Sequence, residues 1–348
     1  MYRANPTAET LMKYGEQVEE TAAFMADFVS VASGSATGKK RYFLQGATAM
    51  QESMSKDFSY NHPFELAYWQ YGLSVANQWR ERQGKPRNAQ WDDIIRNMSP
   101  LPQTKDGIYT AGLPKGKTTG LKSFDPFDAV ASGATTAGSG SATATETFFE
   151  KCRNDHPAVL GPFGMLPAAP GSSAKLGPFG MLPTAPGSSA KLGSLGMLPT
   201  APGSSAKLGP LGMLPAAPGS SAKRPVCSLC SGGAAAEKTL QWVMDNWNWP
   251  TTWGWDYGMT AMAAARLGQP ETALKALLID TQKNTYLKNG HNFQTADRLR
   301  IYLPGNGALL TAVAMMCAGW DGCHQVNNPG FPQDGTWNVR WEGLQRMQ

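Results

Sequence analysis

The sequence predicts an all-α fold of paired helices, and three observations carry that prediction. Apolar residues recur every three or four positions through several segments. Alternating strand patterns are sparse. Gly and Pro, which end helices, punctuate the periodic segments at their edges.

The first helix is predicted between Pro6 and Val31. Leu11, Val18, Ala22, Met25 and Phe28 share one face there, and Pro6 opens the first turn. In the second, Phe64, Tyr68, Tyr71, Val75 and Trp79 step by four, three, four and four, and Gly84 with Pro86 stops it. Ala89 to Met98 makes a short helix around Trp91. Further on, Leu240, Val243, Met244 and Trp247 mark another. Tyr257–Leu267 and Glu271–Ile279 form a helix–turn–helix broken at Gly268-Gln269-Pro270, and Gly307–Ala318 makes one more. Helices paired in this way, with long Gly-, Trp- and Asn-rich loops, stack as hairpins whose loop ends gather on one surface.

Two stretches do not belong to that pattern. Four near-copies of LGPFGMLPAAPGSSAK run head to tail from Leu160 to Lys223. A unit this short, with Gly and Pro about every third residue, keeps neither a helical nor a strand period. It buries too little surface to offset about 1–2 kcal/mol of chain entropy per residue. It reads as a low-complexity linker, or alternatively as a polyproline-like docking tract, although it lacks a PxxP core. The run AVASGATTAGSGSATATET from Ala129 is a flexible linker. The expected organisation is helical hairpins over 1–110, a linker over 111–148 and a short structured segment over 149–167. A disordered repeat insert over 168–235 and further hairpins over 236–348 complete it. All eleven tryptophans lie outside residues 92–241, so the segments flanking the insert hold any ligand site. Without the low-complexity stretches roughly 250 residues remain, enough for one sizeable core.

The net charge of +5 is mild and the basic residues are scattered, which argues against nucleic acid as a partner. No apolar run is long enough to span a membrane, and MYRANPTAET lacks the apolar core of a signal peptide. Cys227 and Cys230 form a CxxC with no second pair, so no metal is implied; the other cysteines read as ordinary thiols. No phosphate-cradling glycine loop is present, and no cofactor is implied.

Four loops concentrate polar and aromatic side chains. They are AMQES with Glu52; Asp155-His156-Pro157; WNWPTTWGWDYGM with Trp253, Trp255 and Asp256; and NGHNFQ with His291, Asn292 and Gln294, followed by LPGNGALL with Asn306. Indole faces with amides beside them suit carbohydrate, since indoles pack on sugar rings while amides read hydroxyls. Two carboxyl groups suit glycosidic cleavage, one protonating the leaving oxygen and the other activating water. Each residue also has a structural reading. Trp253 and Trp255 are placed to be core aromatics at a helix entrance, Asp256 and Asp155 to cap helices, and Glu52 to sit in a solvated loop.

At these loops the chain resembles the six-hairpin glycosidases, in particular the branch with trehalose and maltose phosphorylases and inverting α-L-fucosidases. The resemblance lies in FELAYWQYGLSVANQWRERQG, DHPAVLGPFGMLP, TWGWDYGMTAMAAARLG, NTYLKNGHNFQ and LPGNGALLTAVAMMCAGWDG, in that order. It implies an (α/α)6 toroid and an inverting glycoside hydrolase acting on an oligosaccharide or glycoside. Glu52 takes the general-acid role by resemblance. His156 is carried over as a substrate-binding residue, and Asp256, His291, Asn292 and Asn306 line the same mouth. Pro304 stands where some relatives carry an Asp, which leaves Asp256 as the remaining carboxylate for the base. Twelve helices need well over 200 residues, and only seven or eight are found, so an incomplete toroid is expected. A preceding portion or a partner chain would close it. The alternative function is a non-catalytic carbohydrate-binding or scaffold descendant of such an enzyme.

Overall fold

The computed structural model describes residues 2, 4–33, 40–46, 51–52, 59–104, 107–110, 113–114, 152–167, 233–323 and 326–347. The expected linker at 111–148 lies outside the described residues except for 113–114, and so does the repeat insert except for 233–235. His324 and the Cys227/Cys230 pair also fall outside them. The described residues are mostly helical, with helix outweighing strand 53 % to 8 %. Residues before and after the insert belong to one compact unit.

Helix α1, Ala8–Phe28, starts two residues after Pro6. The Thr7 hydroxyl caps it by accepting from the Thr10 amide at 3.1 Å. Strands β1 (Ser30–Ser33) and β2 (Lys40–Phe43) form an antiparallel pair behind it. Strands β3 (Ser59–Tyr60) and β4 (Leu113–Pro114) form a second short pair. Helix α2, Pro63–Arg82, carries Pro at its start and buries Leu66, Trp69, Leu73 and Ala76. That face is not the one the aromatic spacing predicts. Tyr68 is exposed, and Phe64, Tyr71 and Val75 are only half-buried. The Trp69 indole N–H donates to Met25 O at 2.9 Å, which fixes the rotation of α2 against α1. Helix α3, Ala89–Asn97, is capped by Asn88, whose side chain accepts from the Gln90 and Trp91 amides. Leu44, Leu66, Leu73, Trp91 and Ile94 close the core of this half.

Cys152 to Pro167 runs through a 3-10 turn at Ala158–Leu160 into a one-turn helix α4, Gly161–Gly164. These residues include the first half of the first repeat copy, and Ala158, Val159 and Leu160 are fully buried. That part of the repeat, which falls in the 149–167 segment and not in the 168–235 insert, packs into the core. After the insert, α5 spans Gly233–Asn246 and starts before the expected boundary at 236, with Ala236 in the core. Helix α6, Gly254–Arg266, has small residues over most of its length and is buried almost throughout. Helices α7 (Pro270–Leu277) and α8 (Leu303–Ala318) pack on α6, and α4 lies against it too. Between α7 and α8, β5 (Thr285–Tyr286) and β6 (Asn292–Phe293) make a small hairpin. Leu240, Val243, Tyr257, Met315 and Met316 anchor the core of this second half, and Leu101 packs against both cores.

Candidate functional site

The site is assembled where α4's lead-in crosses the start of α6. A glycine is required at that crossing: a Cβ on Gly164 would lie 2.6 Å from Met259 O, inside the α6 backbone. The close approach seats Asp155-His156-Pro157 over the first turn of α6. Two further bonds lock the segment. Trp247 Nε1–H donates to Asp155 O at 2.7 Å, and the Asn248 amide donates to Arg153 O at 3.0 Å.

Asp256 lies in the first turn of α6, fully buried. Its carboxylate accepts from the Trp253 amide at 2.7 Å, so it satisfies one of the orphan donors at the helix start. The same carboxylate faces His156 Nδ1 at 3.0 and 3.1 Å. Trp253, not Asp256, is the N-cap of α6; Asp256 is the third helical residue and reaches back to the Trp253 amide while it faces His156. On the other edge of the imidazole, Nε2 lies 3.5 Å from Asp155 Oδ1 and 4.0 Å from Glu52 Oε1. Asp155 is buried, whereas the Glu52 side chain is 69 % exposed.

Burial lowers the His156 titration. The Asp256 hydrogen bond and charge, with Asp155 and Glu52 behind them, more than restore it and leave it above its ordinary value. Burial raises Asp256 above the usual carboxylate range, partly offset by His156 and the Trp253 amide. The two residues meet inside the protein, where burial and their mutual contact act together on both titrations.

Ring faces border the His156 imidazole. Trp255 lies 4.6 Å from the His156 ring centroid and Trp253 lies 6.1 Å away, both half-buried. Tyr302 stacks 5.6 Å from Trp253, and Lys283 Nζ lies 5.2 Å from the same indole. Burial and the nearby Asp256 and Glu52 charges push the Tyr302 phenol up. Lys283 is lowered by burial, against the opposing pull of Asp256. Sequence reasoning did not single out Lys283 or Tyr302. The signal available was position: Tyr302 immediately precedes LPGNG, and Lys283 lies just upstream of the GHNFQ loop.

The expected amide readers are turned inward. Gln294 is fully buried: its Oε1 accepts from the Gly254 amide at 2.9 Å and its Nε2 donates to Thr252 O at 3.2 Å. Asn292 is also fully buried and donates to Lys283 O and Thr285 O. A Cβ on Gly254 or Gly305 would meet Asn292 Oδ1 at 2.0 or 2.3 Å, so both glycines make room for it. Asn306 accepts from the Asn292 amide at 2.9 Å and donates to Gly290 O at 2.7 Å. His291 sits in the β5–β6 turn, where Leu287's amide donates to its carbonyl at 2.9 Å. These groups anchor the loop that pins the start of α6. Gln294, Asn306 and the Asn292 Nδ2 bond the backbone, whereas Asn292 Oδ1 and His291 Nδ1 are buried with no hydrogen-bond partner among the described residues. Glu52 and Asp256 likewise do not face each other across an open gap, because the His156 ring lies between them.

Among the described residues no group of three or more His, Cys, Asp or Glu could hold a metal ion. Among them, too, no helix is long and apolar enough to cross a membrane. No protein-family model, curated protein or solved structure matches the chain.

Proposed function

We propose that the chain is a carbohydrate-active protein whose sugar-contacting face is the Trp253–His156–Trp255 ring cluster. One observation carries this reading: two half-buried indoles flank an imidazole whose outer nitrogen faces acidic oxygens. Indole faces cover the apolar side of a pyranose, while a charged imidazole and carboxylates bond its hydroxyls. The paired helices agree with hairpins of an (α/α)6 toroid present in part.

Hydrolysis by the inverting route is the second reading, favoured by the position of Glu52. It is the carboxylate of the cluster open to solvent, and it sits 4.0 Å from His156 Nε2. In that reading Glu52 protonates the leaving oxygen. Asp256, buried beneath His156, positions and charges the ring and takes no direct part. Asp155 then takes the base role.

Glycan microarray binding followed by calorimetry tests the first reading. The native protein is expected to bind at least one glycan class, and Trp255→Ala to lose that binding with its fold retained. Absence of any glycan binding removes the proposal. Turnover of aryl glycosides that Glu52→Gln abolishes would establish the second reading. Binding without turnover leaves the protein a carbohydrate-binding descendant.

A further inference from the structure

We infer that Lys283 is a covalent site: its amine takes the carbonyl carbon of an aldehyde as an imine against the Trp253 indole. The inference needs Lys283 and Trp253 alone, so it stands or falls apart from glycan binding. Lys283 lies in the one-turn 3-10 helix Gln282–Asn284. That turn is pinned on both sides. Asn292, fully buried, donates to Lys283 O at 3.0 Å, and Asn284 donates to Leu277 O and Ile279 O at 2.9 Å. The side chain then reaches over Trp253, with Nζ 5.2 Å from the ring centroid.

This amine is half-buried and has no polar partner. Lys40 and Lys85 meet Asp93 and Glu19, whereas Lys283 Nζ has no hydrogen bond or ion pair among the described residues. Burial lowers its titration against the weaker pull of Asp256. An amine in such a place spends more time neutral, and the neutral amine is the nucleophile. Anions are the other ligands an amine takes, but the carboxylates of Asp155, Asp256 and Glu52 in the same cluster repel them. An aldehyde carries no charge and meets no such repulsion. Its carbon bonds to Nζ, both amine hydrogens leave with the carbonyl oxygen as water, and the imine takes up one proton. The resulting cation keeps its charge over the indole and within reach of Asp256.

The test treats the full chain with glyceraldehyde, a short aldose with no pyranose form, or with butyraldehyde, each with cyanoborohydride to fix the imine. Peptide mass spectrometry then compares the labelling rate at Lys283 with those at the exposed Lys275 and Lys288. Lys283 is expected to label several-fold faster at about pH 7, and the gap to close toward about pH 11, where all these amines are largely neutral. Trp253→Leu, which uncovers the amine, is expected to shrink the gap at about pH 7. A preference with glyceraldehyde supports an open-chain sugar as the source of the carbonyl, and one with butyraldehyde alone supports an apolar aldehyde. Equal rates at these lysines at about pH 7 with both aldehydes overturn the inference. A preference that persists unchanged to about pH 11, or in folded Trp253→Leu, overturns it as well.

Discussion

Replacing Asp256 with Asn removes a charge from beneath His156 and keeps the shape of the site. In the native protein the carboxylate accepts from His156 Nδ1 at 3.0 Å and from the Trp253 amide at 2.7 Å. Burial pulls His156 down, Asp256 supplies the main upward push, and Asp155 and Glu52 add less. With Asn in place, burial prevails, and His156 titrates at lower pH than in the native protein. Stability changes accordingly. A histidine raised in the folded state contributes fully below its unfolded value of about 6.5 and loses that contribution as pH climbs through the folded value. Asp256 is raised too, so its part has the same sign, starting from the ordinary carboxylate value of 3.8. The stability contribution of this pair therefore falls as pH rises, and Asp256→Asn flattens the fall. At about pH 6 the lost charged hydrogen bond costs about 2 kcal/mol, or about 4–8 °C in melting temperature at this chain size. Imidazole NMR titration and melts at about pH 6 and about pH 9 measure both effects. An unchanged His156 titration in Asp256→Asn, or the same melting difference at both pH values, refutes the reasoning.

Four more outcomes follow from the packing. Gly164→Ala forces a methyl to within 2.6 Å of Met259 O and is expected to cost about 1–3 kcal/mol in chemical denaturation, with His156 displaced from Asp256. Gln294→Leu strips the Gly254 amide and Thr252 O of their partners inside the core. It should lower stability by about 1–3 kcal/mol and disturb the Trp253 environment seen by fluorescence. Excising residues 160–175 joins the second copy's identical LGPFGMLP to Val159 and should leave stability within about 0.5 kcal/mol. Val159→Lys, at a fully buried position, should cost about 3–5 kcal/mol by the same melts.

Helix existence was legible in the sequence, and rotation was not. On α2 the stripe Phe64–Tyr68–Tyr71 and the stripe Leu66–Trp69–Leu73–Ala76 are equally periodic. Packing of the second stripe against α1 and α3, with the bond from the Trp69 indole to Met25 O forty-four residues away, decides which faces inward. The site shows the same division. The Asp256–His156 meeting lay within loops that sequence reasoning selected, because acidic and aromatic residues cluster there. The inward turn of Asn292 and Gln294 was not legible. A polar loop residue looks the same whether its amide meets solvent or an orphan helix amide supplied from another segment. Gln294 answers the Gly254 amide forty residues upstream, and no local pattern encodes that.

The first repeat copy shows that composition alone does not decide whether such a unit packs. LGPFGMLP carries the Gly-Pro density of a linker, yet its first copy is built into the core through Leu160, Pro162 and the glycine contact at 164. The unit itself cannot set that register, because the second copy repeats the octapeptide without change. The residues before it differ. The first copy follows Ala158-Val159, whereas the others follow Ala174-Lys175, Ala190-Lys191 and Ala206-Lys207. Val159 is fully buried, so a later copy entering this seat would bring a lysine ammonium into the core without a partner. It would also bring Ser172, Ser188 or Ser204 to the place of His156 and leave Asp256 without its imidazole. One apolar side chain ahead of the repeat therefore selects the copy that docks, and the same choice holds His156 beside Asp256.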